Sequence, residues 1–210
     1  MSPQHAEEEI CALDFFAADG TMLSAEELRG TEVVAFEING DKLKNYALPA
    51  EKYHGDSFIL AKESSFLQSF DKILIDNTAG LFEEDSWAHC EHFEALPAAL
   101  PLLKNEGAIT FNIVTSCRDF TAGRLLRSYQ ALPCNLVQVA KRILTGYYTE
   151  WTHRRTLFYG GNKLNGFSQF LEFYTRYFNQ RGYEVLSTSN RRRISGLWLT
   201  TFNLRRLSHD

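Results

Sequence analysis

Short, continuous apolar runs recur about every 20 residues through the first half of the chain, and most of them end in a carboxylate or an amide. Ile10-Cys11-Ala12-Leu13 runs into Asp14, Val33-Val34-Ala35-Phe36 into Glu37, and Ile73-Leu74-Ile75 into Asp76-Asn77. Ser57-Phe58-Ile59-Leu60, after Gly55-Asp56, reads as a third strand, and Ala108-Ile109-Thr110-Phe111-Asn112-Ile113-Val114 as a fifth. Runs that are apolar on both faces describe buried parallel strands, and parallel strands need long crossover connections. Helix-like stretches fill the gaps. One is short, Ser24 to Arg29, and another carries Phe93, Leu96, Leu100 and Leu103, with Gly107 as its expected stop.

The ending of the chain breaks this pattern. Phe167, Phe170, Leu171, Tyr174 and Phe178 have the spacing of one helical face. Two strand-like runs follow Arg181-Gly182, Tyr183 to Thr188 and Gly196 to Leu204, joined by the short basic segment Ser189 to Ser195. No crossover helix fits in that segment, so the last strand should run antiparallel, with Arg191, Arg192 and Arg193 on the connecting turn. The expected fold is α/β: a seven-stranded, mostly parallel, doubly wound sheet with an antiparallel last strand and helices on both faces. A single domain is expected over 1–210, with a lid-like insertion near 116–165, a stretch longer than a simple connection.

Composition bounds the setting. With 44% hydrophobic and 23% charged residues the chain has the balance of a soluble globular protein, and no run approaches a membrane span. The first residues include Glu7-Glu8-Glu9, unlike a secretory signal, and Cys11, Cys90, Cys117 and Cys134 are scattered without a C-x-x-C, so the cytoplasm is the expected location. The net charge of −4 conceals a split: residues 1–100 hold 6 Lys/Arg against 20 Asp/Glu, and residues 101–210 hold 16 against 6. An acidic half suits a cationic ligand and a basic half an anionic one. Equally, the halves could pair with each other or with a second subunit, which leaves a homo-oligomer open.

A strand, a small-residue turn, a crossover and a second strand ending in a carboxylate form the grammar of a nucleotide-type cofactor site. The second carboxylate, Glu37, can take both hydroxyls of a ribose. The turn Asp14-Phe15-Phe16-Ala17-Ala18-Asp19-Gly20 is not G-x-G-x-x-G, which disfavours an NAD-dependent dehydrogenase.

Five parallel strands followed by a helix and a terminal antiparallel hairpin resemble the class I S-adenosylmethionine-dependent methyltransferases, over nearly the whole chain. Asp14 to Gly20 resembles the family's first motif, Glu37 its ribose-binding carboxylate, Asp56 a side chain near the adenine, and Asp76-Asn77-Thr78-Ala79-Gly80 its fourth motif beside the transferable methyl. The resemblance implies S-adenosylmethionine as cofactor, held by Asp14, Phe16, Ala17, Ala18, Gly20, Glu37, Ile38, Asp56, Ser57 and Asp76. Segment 76–96 also resembles uncharacterised bacterial and archaeal members of the class. Two departures stand out. The usual glycines of the first motif are reduced to Gly20, with Asp19 adding a second acid, and Asn77-Thr78 is not the signature of amino-directed nucleic-acid methyltransferases.

Catalytic candidates are Asp76 and Asn77 beside the methyl, and Glu91 and His92 on the helix before the fifth strand. A base is needed only where the acceptor must lose a proton. His89, Cys90, Glu91, His92 and Glu94 match no established zinc spacing, so no metal is expected. Tyr148, Trp151, Arg154 and Arg155 lie in an aromatic and basic cluster suited to a planar or anionic acceptor. The competing reading is a helix with its aromatics packed inward. For Glu37, Asp14, Asp76 and Asp56 the competing reading is strand-end turn formation. The expected function is methyl transfer to a small-molecule or sugar- or phosphate-bearing acceptor, with no membrane partner. The alternatives are a nucleic-acid or protein methyltransferase, an inactive cofactor-binding partner subunit, or aminopropyl transfer on the same fold.

Overall fold

In the computed structural model the described residues are 10–17, 20, 23–76, 80–82, 86–89, 92–115, 157–161, 164, 166–194 and 197–208. The first apolar run forms strand β1, Cys11–Asp14, in which Ala12, Leu13 and Asp14 are wholly buried. It pairs in parallel with β2, Glu32–Glu37, on one side and with β4, Phe70–Ile75, on the other. β2 pairs in parallel with β3, Glu51–His54. The sheet continues through β7, Leu103–Val114, β9, Leu197–Arg206, and β8, Tyr183–Ile194, in the order β3-β2-β1-β4-β7-β9-β8. A separate two-stranded antiparallel sheet joins β5, Gly80–Phe82, to β6, Ser86–His89. The described helices are α1, Leu23–Glu27, α2, Gly40–Lys44, α3, Ser57–Leu60, α4, His92–Ala99, and α5, Phe167–Asn179.

The expected seven-stranded, mostly parallel sheet with an antiparallel ending is the one observed. The end of β9 meets the start of β7: Arg206 Nη2 donates to Leu103 O at 3.4 Å and Arg205 Nε to Glu106 Oε1 at 2.6 Å. β9 therefore runs against β7.

Three local expectations are corrected. Ser57–Leu60 is a helix, and the third strand is the polar stretch Glu51–His54 before it. Asp56 is the N-cap of that helix, its Oδ1 accepting from Phe58 N at 2.8 Å, which starts a helix where the apolar run alone reads as a strand. Gly107 does not stop a helix; it lies inside β7, which begins at Leu103. A Cβ there would stand 2.8 Å from Asp71 O and from Leu103 Cδ1, so the glycine permits close approach of two strands. Arg191, Arg192 and Arg193 do not form a turn, because β8 extends through them to Ile194.

The chain packs as two compact units. The first gathers the described residues within Met1–Asp76, Ala95–Thr110 and Asn203–Arg206. Its core runs as a chain of rings: Phe15 against Phe36 at 6.3 Å, Phe36 against Phe66 at 5.0 Å, and Phe66 stacked on Phe70 at 6.1 Å. Each wholly buried Phe contributes ~2–3 kcal/mol through area removed from water. Phe58 of α3 meets Phe15 edge-on at 5.8 Å, which anchors this four-residue helix against the first strand's end.

The second unit gathers the described residues within Asn77–Glu94, Phe111–Phe202 and Leu207–Asp210. Phe170, Tyr174 and Phe178, three of the residues expected to form one helical face, are wholly buried, and Phe167 stacks on Trp198 at 4.4 Å. Tyr174 and Phe178 pack on Phe202, which stacks on Phe111 at 5.5 Å. The Tyr174 and Tyr159 hydroxyls satisfy each other at 3.0 Å. α5 ends where Gly182, at φ 78°, returns its N–H to Asn179 O.

Candidate functional site

Parallel pairing brings the ends of four strands to one edge. Asp14 closes β1 in register with Ala35 and Leu74, and Glu37 closes β2 in register with His54. Asp56 lies two residues beyond β3, and Asp76 directly beyond β4. Strand order reverses between β1 and β4, so Asp14 and Asp76 flank the switch point, where open α/β sheets place their ligands.

Asp14 is the most unusual group in this row. Its carboxylate is wholly buried, and Oδ2 accepts the Tyr46 hydroxyl at 2.8 Å. Oδ1 is buried without a hydrogen-bond partner among the described residues. Burial pushes the Asp14 carboxyl up to about 6; hydrogen bonds from Ser24 and Tyr46 oppose the rise, and the charges of Asp76 and Glu37 add to it. Burial, followed by the Asp14 charge, holds the Tyr46 phenol well above its ordinary value. A buried carboxylate oxygen with no donor is costly in a folded chain and is commonly met where a ligand supplies the donor.

The turn after β1 is held by the sheet. Phe15 N donates to Leu74 O, Ala17 N to Phe36 O and Gly20 N to Ala17 O, each at 2.9 Å. Phe16 meets Phe15 edge-on at 4.9 Å and Phe58 at 5.9 Å, and Ala17 is buried. Gly20 has φ 65°, and a Cβ on it would come within 2.4 Å of Tyr46 Cε2. The one glycine left in the turn thus serves both a left-handed conformation and a ring packed directly on it.

Glu37 is built differently. Its Oε1 accepts Asn39 N at 2.7 Å, and Asn39 in turn caps α2 through Oδ1 to the amides of Asp41 and Lys42. The next residue, Ile38, is 58% exposed, an apolar side chain at the mouth of an acidic row. Its carbonyl is met by His54 Nε2 at 2.9 Å, which ties the ends of β2 and β3 together. Ser57, also buried, opens α3 beside Asp56.

Asp14, Phe16, Ala17, Gly20, Glu37, Ile38, Asp56, Ser57 and Asp76 therefore all lie at or just beyond the ends of β1 to β4. Ala18, Asp19, Asn77, Glu91, Tyr148, Trp151, Arg154 and Arg155 lie outside the described residues, as does most of the expected lid at 116–165. His92 begins α4, with its side chain outside the description. The sequence alone marked Ser24 only as a helix start and did not single out Tyr46 or His54; the glycine retained at position 20 is the signal that a ring packed on the turn leaves.

No family model matches the sequence, and no curated protein matches it. Solved structures do match. TYW2 of M. jannaschii, solved with AdoMet, is similar over 95% of this chain and 70% of its own, with 14% identity and a TM-score of 0.47. A Bordetella parapertussis protein is similar over 95% of this chain and 62% of its own, with 14% identity and a TM-score of 0.51. The plantazolicin methyltransferase BpumL, solved with SAH, is similar over 94% of this chain and 76% of its own, with 15% identity and a TM-score of 0.52. The fold is that of the class I methyltransferases.

Within this class I methyltransferase fold, the acidic row stands where ligands bind beyond parallel strands. The second unit has a cavity of about 740 Å³ along α5, between Phe158–Gly160 and the helix residues Phe173, Arg176 and Tyr177. None of the row's residues lines it. Among the described residues no helix is long and apolar enough to cross a membrane, and no three metal-ligating side chains cluster.

Proposed function

We propose that this protein is an S-adenosylmethionine-dependent methyltransferase acting on a small-molecule or sugar- or phosphate-bearing acceptor. The observation that carries the reading is the buried Asp14 carboxylate, with one oxygen held by Tyr46 and the other lacking a donor among the described residues, on a parallel sheet edge that also presents Glu37, Asp56 and Asp76. The donor set fits the group: a cation bearing an amine and a ribose needs acidic acceptors and an apolar surface for its base. Bound S-adenosylmethionine supplies a methyl made electrophilic by its sulfonium.

The chain's own residues bind and align. Asp14 Oδ1 accepts the amine end, and the turn through Phe16, Ala17, Ala18 and Gly20 fits around the amino-acid part. Glu37, its rotamer fixed by the Asn39 amide, takes the ribose hydroxyls. Ile38 and the Asp56-Ser57 helix start flank the base, and Asp76 with Asn77 borders the acceptor. In-line displacement depends mainly on such alignment, and Glu91 or His92 serves as base only where the acceptor carries a proton to lose. Tyr148, Trp151, Arg154 and Arg155 take the acceptor in this reading.

Calorimetry with S-adenosylhomocysteine tests the proposal. Micromolar binding by the native protein, weakened at least tenfold in Glu37→Ala, supports it; no binding by the native protein overturns it. Charge reversal at Arg154 and Arg155 should weaken acceptor turnover while leaving cofactor affinity intact.

A nucleic-acid acceptor is the second reading, and the exposed Arg191 and Arg192 on β8 favour it. Salt-dependent retention on heparin or RNA, lost in Arg192→Glu, would support it over the small-molecule reading.

A further inference from the structure

We propose that Tyr46 is a positioning residue for the cofactor site: seated on Gly20, it holds Asp14 Oδ2 so that Oδ1 is presented to a cationic nitrogen of the ligand. The inference rests on the cofactor reading above and extends it to a residue outside the strand ends and the first-motif turn.

Tyr46 reaches Asp14 from 32 residues away. It is only 6% exposed, and its backbone N–H donates to Leu43 O at 3.2 Å, which ties its backbone to the last turn of α2. α2 in turn begins at the Asn39 cap, and Asn39 N is bound by Glu37 Oε1 at 2.7 Å. Residues 37–46 therefore form one short strut. At one end it orients the carboxylate of β2, and at the other it holds the carboxylate of β1. A Cβ at Gly20 would overlap three atoms of the Tyr46 ring, so the ring lies directly behind the turn that follows Asp14.

Four groups bear on Asp14: the hydroxyls of Ser24 and Tyr46, which favour its charged form, and the acids Asp76 and Glu37, which oppose it along with burial. Among the described residues, removing the Tyr46 hydroxyl leaves the Ser24 hydroxyl against two acids and burial. The carboxylate then stays charged only at higher pH, and its rotamer is no longer held.

Tyr46→Phe keeps the ring on Gly20 and deletes the donor. Two readouts are needed: titration of the Asp14 carboxyl in the ligand-free protein by carbon-detected NMR, assigned with Asp14→Asn, and S-adenosylhomocysteine affinity by calorimetry from pH 5.5 to 8. The Asp14 midpoint should rise by about one pH unit, since a hydrogen bond to a charged group is lost. Affinity should fall about fivefold to tenfold at pH 6 and less than about threefold at pH 8. A purely structural tyrosine would lower the melting temperature and leave the midpoint in place. An unmoved midpoint, or tighter binding in Tyr46→Phe at every pH, overturns the inference. If the midpoint moves but the native protein binds no S-adenosylhomocysteine, the cofactor reading fails separately and takes the ligand-presenting role with it.

Discussion

The ring of Tyr46 lies so close to Gly20 that a Cβ on the glycine would stand 2.4 Å from Cε2 and 2.5 Å from Cδ2. Gly20 also holds φ 65°, a conformation that disfavours any side chain. Gly20→Ala should therefore destabilise the fold by ~2–4 kcal/mol, from overpacking plus backbone strain. Chemical denaturation of Gly20→Ala, Tyr46→Ala and the double variant checks this: the double variant should be more stable than the sum of the two single losses, because the overlap exists only when both side chains are present.

Asp14 destabilises the protein at neutral pH, and the sign follows from its raised pKa. The native carboxyl titrates at about 6 against an ordinary 3.8. Between these values the native state holds the proton more tightly than the unfolded chain, so this group's contribution to stability falls as pH rises from about 4 to 6 and is flat above. Asp14→Asn should raise stability at pH 7.5 by roughly 2–3 kcal/mol and flatten that part of the profile. Thermal melts of both proteins from pH 4.5 to 8 measure it. In the proposed function the same substitution weakens cofactor binding, a trade of stability for function.

Gly107→Ala should cost ~1–3 kcal/mol in stability, because its Cβ would press on the Asp71 carbonyl at 2.8 Å. Asp71 cannot readily move away: its Oδ2 accepts Cys11 N at 2.9 Å and Lys104 Nζ at 2.8 Å, tying three strands. Urea unfolding reads the loss, and S-adenosylhomocysteine affinity at saturating folded fraction should be unaffected.

Arg193 and Arg192 are neighbours with different duties. Arg193 Nη1 donates at 3.1 Å to Oδ1 of the wholly buried Asn112, whereas Arg192 is exposed. Arg193→Ala should cost ~1.5–3 kcal/mol as a charged-group hydrogen bond is lost, and Arg192→Ala should stay within about 0.5 kcal/mol. Parallel denaturation curves distinguish them. Arg193 is thus a structural arginine on β8, where the sequence placed the basic run on a connecting turn.

The chain order and burial of β1, β2 and β4 were legible because continuous apolar runs leave few options: a strand apolar on both faces belongs inside a sheet. Their terminal acids were legible for the same reason, since an acid that closes such a run falls at a sheet edge. β3 was not legible. Glu51-Lys52-Tyr53-His54 is an edge strand, largely exposed, so it lacks an apolar signature, while the apolar Ser57–Leu60 is spent on a helix whose Phe58 packs on Phe15 and Phe16.

By itself the sequence determined β1, β2 and β4, the antiparallel ending and the place of Asp14, Glu37 and Asp76 at strand ends, because periodicity and connection length are local properties. Only the tertiary structure decided what two of those acids, Asp14 and Glu37, and the strand amide Asn112 meet. Tyr46 stands on Asp14, Asn39 on Glu37 and Arg193 on Asn112, pairs separated by 32, 2 and 81 residues. Two of the three are distant in the chain. Packing alone brings such partners together, and among the described residues it leaves Asp14 Oδ1 buried without one.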